Sequence, residues 1–299
     1  MSGGELAGSA QLGMAQACWR ALVLGVVQGL TEFLPISSTA HVQVVPMLLG
    51  WGDPGVSAIA VIQLGSIAAI LTYFWHDLAQ VLGGVSRALR QGRWGSAEAR
   101  MGMAIVTGTI PIVLVGMAIK LWVPGYDTSP LRSLPAVAIV SIVMALLLGL
   151  AELMGSRRRG LADVQPRDGW IVGLAQALAV IPGVSRAGST LTASLLDGWE
   201  RTAAARFSFL MGIPAITLAG LVELRTAFAG PVSAATPGAM SGLGVLPMLL
   251  GVVVSAVVSW LSIAWLLRFL QRHSTWVFVI YRLAFGLALL IWLRGTVGL

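Results

Sequence analysis

Long apolar runs dominate the chain, and at two places short polar stretches break them. Runs at 58–75, 102–122, 134–152, 204–224, 243–267 and 275–294 each approach the roughly 20 residues that carry a helix across bilayer hydrocarbon, so the pattern predicts six crossings. Two further apolar regions, 16–49 and 170–198, are interrupted by proline and a Ser-rich stretch, which leaves pieces generally too short to cross alone. Irregular backbone at membrane depth survives only where protein or a cavity satisfies its polar groups. These regions are therefore expected to form re-entrant helix pairs. The expected fold is an all-α polytopic membrane protein with six transmembrane helices and two re-entrant pairs, in a single integral membrane domain over 1–299.

Composition agrees. The chain is 57% hydrophobic and 10% charged, with a mean hydropathy of +0.87, against roughly 25% charge in ordinary soluble domains. The net charge of +7 is spread through short links between apolar segments instead of forming one basic face, which favours membrane orientation over nucleic-acid binding. Cys18 is the sole cysteine, so an intramolecular disulfide and a cysteine-cluster metal site are excluded. The first fifteen residues lack a basic leader region, and no removed signal peptide is expected.

The arginines set a sidedness. Arg87, Arg90, Arg93 and Arg100 share one link, and Arg157, Arg158, Arg159 and Arg167 another. Arg201, Arg206, Arg268 and Arg272 flank later spans on the same side, while the opposite side has mainly Lys120, Arg132, Arg225 and Arg294. The positive-inside rule puts the first group in the cytoplasm and both termini outside. Region 16–49 then enters from the outer side and 170–198 from the cytoplasmic side. Aligning Pro35 with Pro182 also aligns Ser38 with Ser185, which suggests inverted repeats over 1–150 and 151–299 with a binding site at their interface.

Polar residues in these two regions are costly in hydrocarbon and mark the candidate site. Gln28 and Glu32 are four residues apart and share a helix face. Glu32 can exchange a proton, orient an imidazole or contact a cation, whereas Gln28 can only orient and hydrogen-bond. Within Pro35-Ile36-Ser37-Ser38-Thr39-Ala40-His41, Ser37 and Thr39 suit helix caps. His41, three residues after Ser38, is expected to approach that hydroxyl or a shared substrate. In the second region Pro182 and Gly183 break a helix, and Ser185, Ser189 and Thr190 are expected to cap one restarting near residue 189. Its free N–H groups form an anion-binding end, to which Arg186 adds a forked donor suited to phosphate oxygens; the competing role for Arg186 is a salt bridge to Glu32. Catalysis is thus assigned to Glu32, Ser38, His41 and Arg186, and substrate binding to Gln28, Ser37, Thr39, Ser185, Arg186, Ser189 and Thr190. Arg282 is expected to brace the fold, Tyr281 has no evident partner, and His76 and His273 are expected to face water. No GxxxxGK[ST] or dinucleotide-binding glycine pattern is present, so no nucleotide or organic cofactor is expected.

Two long motifs in order, Gln28-Gly29-Leu30-Thr31-Glu32 with Phe33-Leu34-Pro35-Ile36-Ser37-Ser38-Thr39-Ala40-His41, and Pro182-Gly183-Val184-Ser185-Arg186-Ala187-Gly188-Ser189-Thr190, carry a resemblance over essentially the whole chain. The protein resembles the bacterial undecaprenyl-diphosphate phosphatases of the bacitracin-resistance type. Gln28 stands where that family admits Glu or Gln, and Ala187 replaces its usual serine. The resemblance implies hydrolysis of undecaprenyl diphosphate to undecaprenyl phosphate and inorganic phosphate, recycling the lipid carrier for peptidoglycan and other envelope polymers. It also implies a homodimer in the bacterial cytoplasmic (inner) membrane, inverted re-entrant pairs, and a pocket open to the periplasmic side. Stimulation by Mg2+ or Ca2+ is implied too, with the ion carried mainly by substrate oxygens and Glu32 its one protein contact. Ser38, His41 or water could be the attacking group. A polyprenyl-phosphate transporter or flippase, and a structural protein that binds headgroups, are the alternatives.

Overall fold

The computed structural model describes residues 13–126, 129–229 and 244–297; the expectation about a leader falls mainly on residues outside these. Eleven helices follow one another among the described residues: α1 Met14–Phe33, α2 Ser38–Leu48, α3 Val56–Tyr73, α4 Trp75–Gln91, α5 Ala97–Trp122, α6 Leu134–Met154, α7 Pro166–Ala177, α8 Arg186–Leu196, α9 Arg201–Ala229, α10 Val245–Phe269 and α11 Trp276–Val297. The fold is almost wholly helical, with an isolated bridge between Arg159 and Trp199.

Local chemistry sets several boundaries. The Ser96 hydroxyl accepts from Ala99 N at 3.2 Å to start α5, and Asp168 reaches back to Gln165 N at 2.8 Å to start α7; each satisfies a donor that the first helical turn leaves unpaired. Gly92 ends α4 at φ 68°.

α5, α6, α9, α10 and α11 are each long and apolar enough to cross a membrane, and α3 with α4 makes a sixth if that pair, bent by 66°, is one span. The chain is a multi-pass membrane protein. The run at 58–75 thus begins a bent pair. Helix α1, with 20 residues, is longer than the broken pattern of 16–49 suggests, and at ~1.5 Å per residue its length alone does not forbid a crossing. Helices α2 and α8, with 11 residues each, are too short to cross.

Close helix packing uses missing side chains. A Cβ on Gly25 of α1 would come within 2.6 Å of Gly251 O, and one on Gly29 within 2.7 Å of the Val258 side chain, so α1 lies directly on α10. Hydroxyls stitch the same region: Ser66 of α3 meets Ser255 at 3.0 Å and accepts from Ser259 at 2.9 Å, both on α10. The buried core continues through Phe33, Phe74, Phe207, Phe209 and Trp199, with Phe33 edge-on to Phe209 at 5.6 Å.

At one end of the bundle the link arginines are tethered. Buried Glu152 at the end of α6 receives Arg157, Arg201 and both the amide and hydroxyl of Thr275. Arg159 joins Asp197 and, at 2.6 Å, Asp168, and Arg206 meets Asp77 at 2.6 Å. Several residues that sequence uses to read sidedness therefore also fasten loops to helix ends.

Candidate active site

Two helix breaks face each other. After α1 the chain extends through Leu34 and Pro35, and Ser37 adopts φ 77°, ψ 98° before α2 begins at Ser38. After α7 a short 3-10 turn, Leu178–Val180, leads to Gly183 at φ 91°, and Ser185 adopts φ 69°, ψ 113° before α8 begins at Arg186. A serine at positive φ costs of order 1–3 kcal/mol and persists only where surroundings hold it. The matching backbone pairs Ser37, not Ser38, with Ser185. The one-residue difference from the proline alignment arises because Gly183, not Pro182, occupies the place of Pro35. In this register Ser38 and Arg186 both open a helix.

Arg282 of α11 holds both breaks together. It is 1% exposed, and its guanidinium donates to Pro35 O and Val184 O at 3.2 Å, Gly183 O at 2.7 Å and Ser141 O at 3.3 Å. The expected bracing through backbone carbonyls is what the structure contains.

At the centre lies Glu32. Its Oε2 accepts from Gln28 Nε2 at 3.0 Å and from the Ser38 hydroxyl at 2.7 Å. Its Oε1 is 3.6 Å from Arg186 Nη2, with the two side chains 10% and 11% exposed. That separation is an ion pair longer than a good hydrogen bond. Both terminal guanidinium nitrogens of Arg186 are buried and have no hydrogen-bond partner among the described residues. One flank of Arg186 is the backbone of α9: a Cβ on Gly212 would collide with Nη1 and lie 3.0 Å from Cζ.

His41 points elsewhere. Its Nδ1 is 2.7 Å from Ser37 O and its Nε2 is 2.6 Å from the Tyr281 hydroxyl. A carbonyl can only accept, so Nδ1 carries the proton and Nε2 accepts from the phenol. The ring stacks on Phe285 with centroids 4.4 Å apart. The expected approach of His41 to the Ser38 hydroxyl is therefore replaced by Glu32, because the Ser37 carbonyl, turned by the positive φ, captures Nδ1.

The remaining hydroxyls divide. Ser185 caps α8 through Gly188 N at 3.1 Å. Ser189 and Thr190 do not cap it: α8 starts at Arg186, so both sit inside the helix and donate to Arg186 O at 3.0 and 2.8 Å. Ser37 makes no capping bond; its hydroxyl meets Thr39 at 3.1 Å, and Thr39 accepts from Gly183 N at 3.5 Å, linking the two breaks. His76 and His273 are exposed, as expected. Sequence reasoning missed the Tyr281 contact and Gly212; a tyrosine beside Arg282 in an apolar run was the available signal for the first, and a glycine among 36 gave none for the second.

For a resident divalent ion the donors fit poorly. Among the described residues no three His, Cys, Asp or Glu gather, and Glu32, the one carboxylate at the centre, already has two donors and an arginine around it.

Comparison with known proteins matches the sequence to a known family. The family model described as bacitracin resistance protein BacA matches residues 21–288. A protein of Parasynechococcus marenigrum (strain WH8102) named undecaprenyl-diphosphatase is 65% identical over 285 residues, 95% of this chain and 96% of its own length. Proteins of the same name from Synechococcus sp. (strain RCC307), 66% identical over 94% of this chain and 96% of theirs, and from Prochlorococcus marinus (strain MIT 9303), 66% identical over 92% and 91%, agree. With its motifs, its helices and these relatives in accord, the chain belongs to the bacitracin resistance protein BacA family.

Proposed function

We propose that this protein hydrolyses undecaprenyl diphosphate to undecaprenyl phosphate and inorganic phosphate, returning the lipid carrier to cell-envelope synthesis. The family and the names of its relatives support this activity. The observation that carries it on this chain is the buried Arg186 guanidinium, ion-paired with Glu32 at 3.6 Å and with no hydrogen bond at either terminal nitrogen among the described residues, beside a carboxylate whose other oxygen holds the Ser38 hydroxyl at 2.7 Å. A buried cation with free donors, a base and a hydroxyl within one cluster are the groups phosphoryl transfer calls for.

In the proposed sequence Arg186 and the free N–H groups opening α8 hold the terminal phosphoryl oxygens as charge redistributes. The Ser38 Oγ attacks the terminal phosphorus while its proton passes to Glu32 Oε2. The phosphoanhydride bond breaks and undecaprenyl phosphate departs with the bridging oxygen. Water then attacks phosphorylated Ser38 and, taking the place of the Tyr281 hydroxyl at His41 Nε2, gives that nitrogen its proton; the P–Oγ bond breaks, Ser38 recovers its proton from Glu32, and His41 releases its proton to the departing phosphate. Gln28 cannot act as an acid, and its Nε2 orients Glu32. The geometry favours Ser38 over His41 as attacking group, since the Ser38 hydroxyl already faces the base and His41 Nε2 faces Tyr281. A Mg2+ or Ca2+ would enter as the counterion of the diphosphate, held mainly by substrate oxygens and water.

The architecture we infer has six spans, with α3 and α4 as one broken crossing and α1–α2 and α7–α8 as oppositely oriented re-entrant pairs in inverted halves, 1–150 and 151–299. The equal lengths of α2 and α8 and the like conformations of Ser37 and Ser185 support it. The same register sets Ala97, where α5 begins, against Val245, where α10 begins. The arginine asymmetry supports a pocket open to the periplasmic side of the inner membrane. Family resemblance supports a homodimer in contact with membrane lipid.

Phosphate release by purified protein from a defined polyprenyl diphosphate tests the activity. Movement of polyprenyl phosphate across proteoliposomes without hydrolysis would instead establish the transporter reading that broken helices also suit.

A further inference from the structure

His41 is held at both ring nitrogens. Its imidazole is 5% exposed and stacks on Phe285 at 4.4 Å between centroids, with the Tyr281 ring 5.6 Å away and 6.3 Å from that of Phe285. Ser37 O fixes the tautomer at Nδ1, and the phenol, 2.6 Å from Nε2, fixes where the lone pair points. Tyr281 is 43% exposed as a residue, while its hydroxyl proton faces His41. Tyr281 and Arg282 are adjacent on α11, and the Arg282 guanidinium grips the chain at Pro35, two residues before Ser37. One short stretch of α11 therefore governs the turn that supplies the Nδ1 acceptor and the group that occupies Nε2.

We propose that Tyr281 is a positioning residue for the diphosphate hydrolysis: its hydroxyl donates to Nε2 and keeps His41 neutral, protonated on Nδ1, with the Nε2 lone pair held in place until water takes the position of the phenol. Without the phenol oxygen the imidazole retains a single polar anchor, and a flip about Cβ–Cγ that exchanges its edges costs only that bond. Stacking on Phe285 does not discriminate between the two orientations, because a flipped imidazole presents the same plane to that ring. This inference rests on the hydrolase reading and adds a residue to it.

The experiment uses Tyr281→Phe, which removes one oxygen and keeps the ring against Phe285. Losing one hydrogen bond of this kind is expected to lower kcat about tenfold, with KM changed by less than about twofold because substrate binding is uniform in both states. In a His41→Ala background the same substitution is expected to cause no further loss. In 15N-histidine-labelled protein the His41 Nε2 resonance, identified by its disappearance in His41→Ala, is expected to move toward that of an unbonded ring nitrogen in Tyr281→Phe. Equal losses in both backgrounds, or an Nε2 resonance that does not move, would overturn the proposal. Where His41→Ala leaves too little turnover to divide further, the resonance decides. Absence of phosphate release by the unaltered protein would instead sink the hydrolase reading, and the resonance would still report on Tyr281.

Discussion

Replacing Gly212 by alanine tests the phosphate clamp without touching a reacting group. The added Cβ would overlap Arg186 Nη1 and lie 3.0 Å from its Cζ, where carbon contacts settle near 3.5–4.0 Å. The rigid helix backbone of α9 cannot retreat as readily as the end of a long side chain, so the guanidinium must move by about 1 Å, a displacement that can cost roughly 10²-fold when it misplaces a group at the reacting centre. That corresponds to about 2.7 kcal/mol of transition-state stabilisation. The helix itself should not suffer, because alanine is favoured over glycine in a helix interior by about 0.8–1.0 kcal/mol. The assay is phosphate release from a polyprenyl diphosphate at subsaturating substrate, on protein that elutes as the unaltered form does. A fall in kcat/KM of about 10²-fold that vanishes in an Arg186→Ala background is expected. Turnover within about twofold of the unaltered protein, for folded Gly212→Ala, would refute the placement of Arg186 as the clamp.

Glu32→Gln keeps a side chain able to meet Gln28 and Ser38 but removes the base, so kcat should fall by about 10²–10⁴ in a phosphate-release assay. Glu152→Ala leaves partly exposed Arg157 and Arg201, and the amide and hydroxyl of buried Thr275, without their shared carboxylate; the unpaired donors should cost about 1–3 kcal/mol, read as a lower thermal midpoint with turnover per folded molecule unchanged. Ser38→Ala should abolish both turnover and the acid-stable phosphoserine that rapid quenching of the unaltered protein is expected to trap at that position; retained turnover would assign attack to water or His41.

Much of the site was legible because its residues crowd two short stretches. Gln28 and Glu32 lie one helical turn apart, so their shared face follows from the period of the helix alone, and Arg186 follows a proline–glycine break that brings it to a helix opening. The contacts that arrive from far along the chain were not legible. Nothing in the sequence near His41 indicates that its Nε2 meets a tyrosine 240 positions away, and the motif encouraged a local pairing with Ser38 that backbone conformation prevents. Ser189 and Thr190 lie inside the helix for a related reason: a hydroxyl near a helix start can cap from outside or bond back to a carbonyl from inside, and the choice depends on where the helix starts, here at Arg186 and not near residue 189.

The first residue of each helix explains how two similar breaks can do different work. Ser37 and Ser185 share a backbone conformation, and each is followed by the first residue of an 11-residue helix. In one break that residue is Ser38, whose short hydroxyl reaches back to Glu32; in the other it is Arg186, whose long side chain crosses toward the same carboxylate. Glu32 therefore has a proton donor on one oxygen and a cation near the other. When an oxyanion enters, Arg186 can exchange a long ion pair for phosphate oxygens while Ser38 stays in contact with its base. Arg282 makes the arrangement rigid by bonding Pro35 O and Gly183 O, the carbonyls two residues before each serine. The same guanidinium thus sets the spacing between nucleophile and clamp, and strain at both serines is held by a residue that need never touch the substrate.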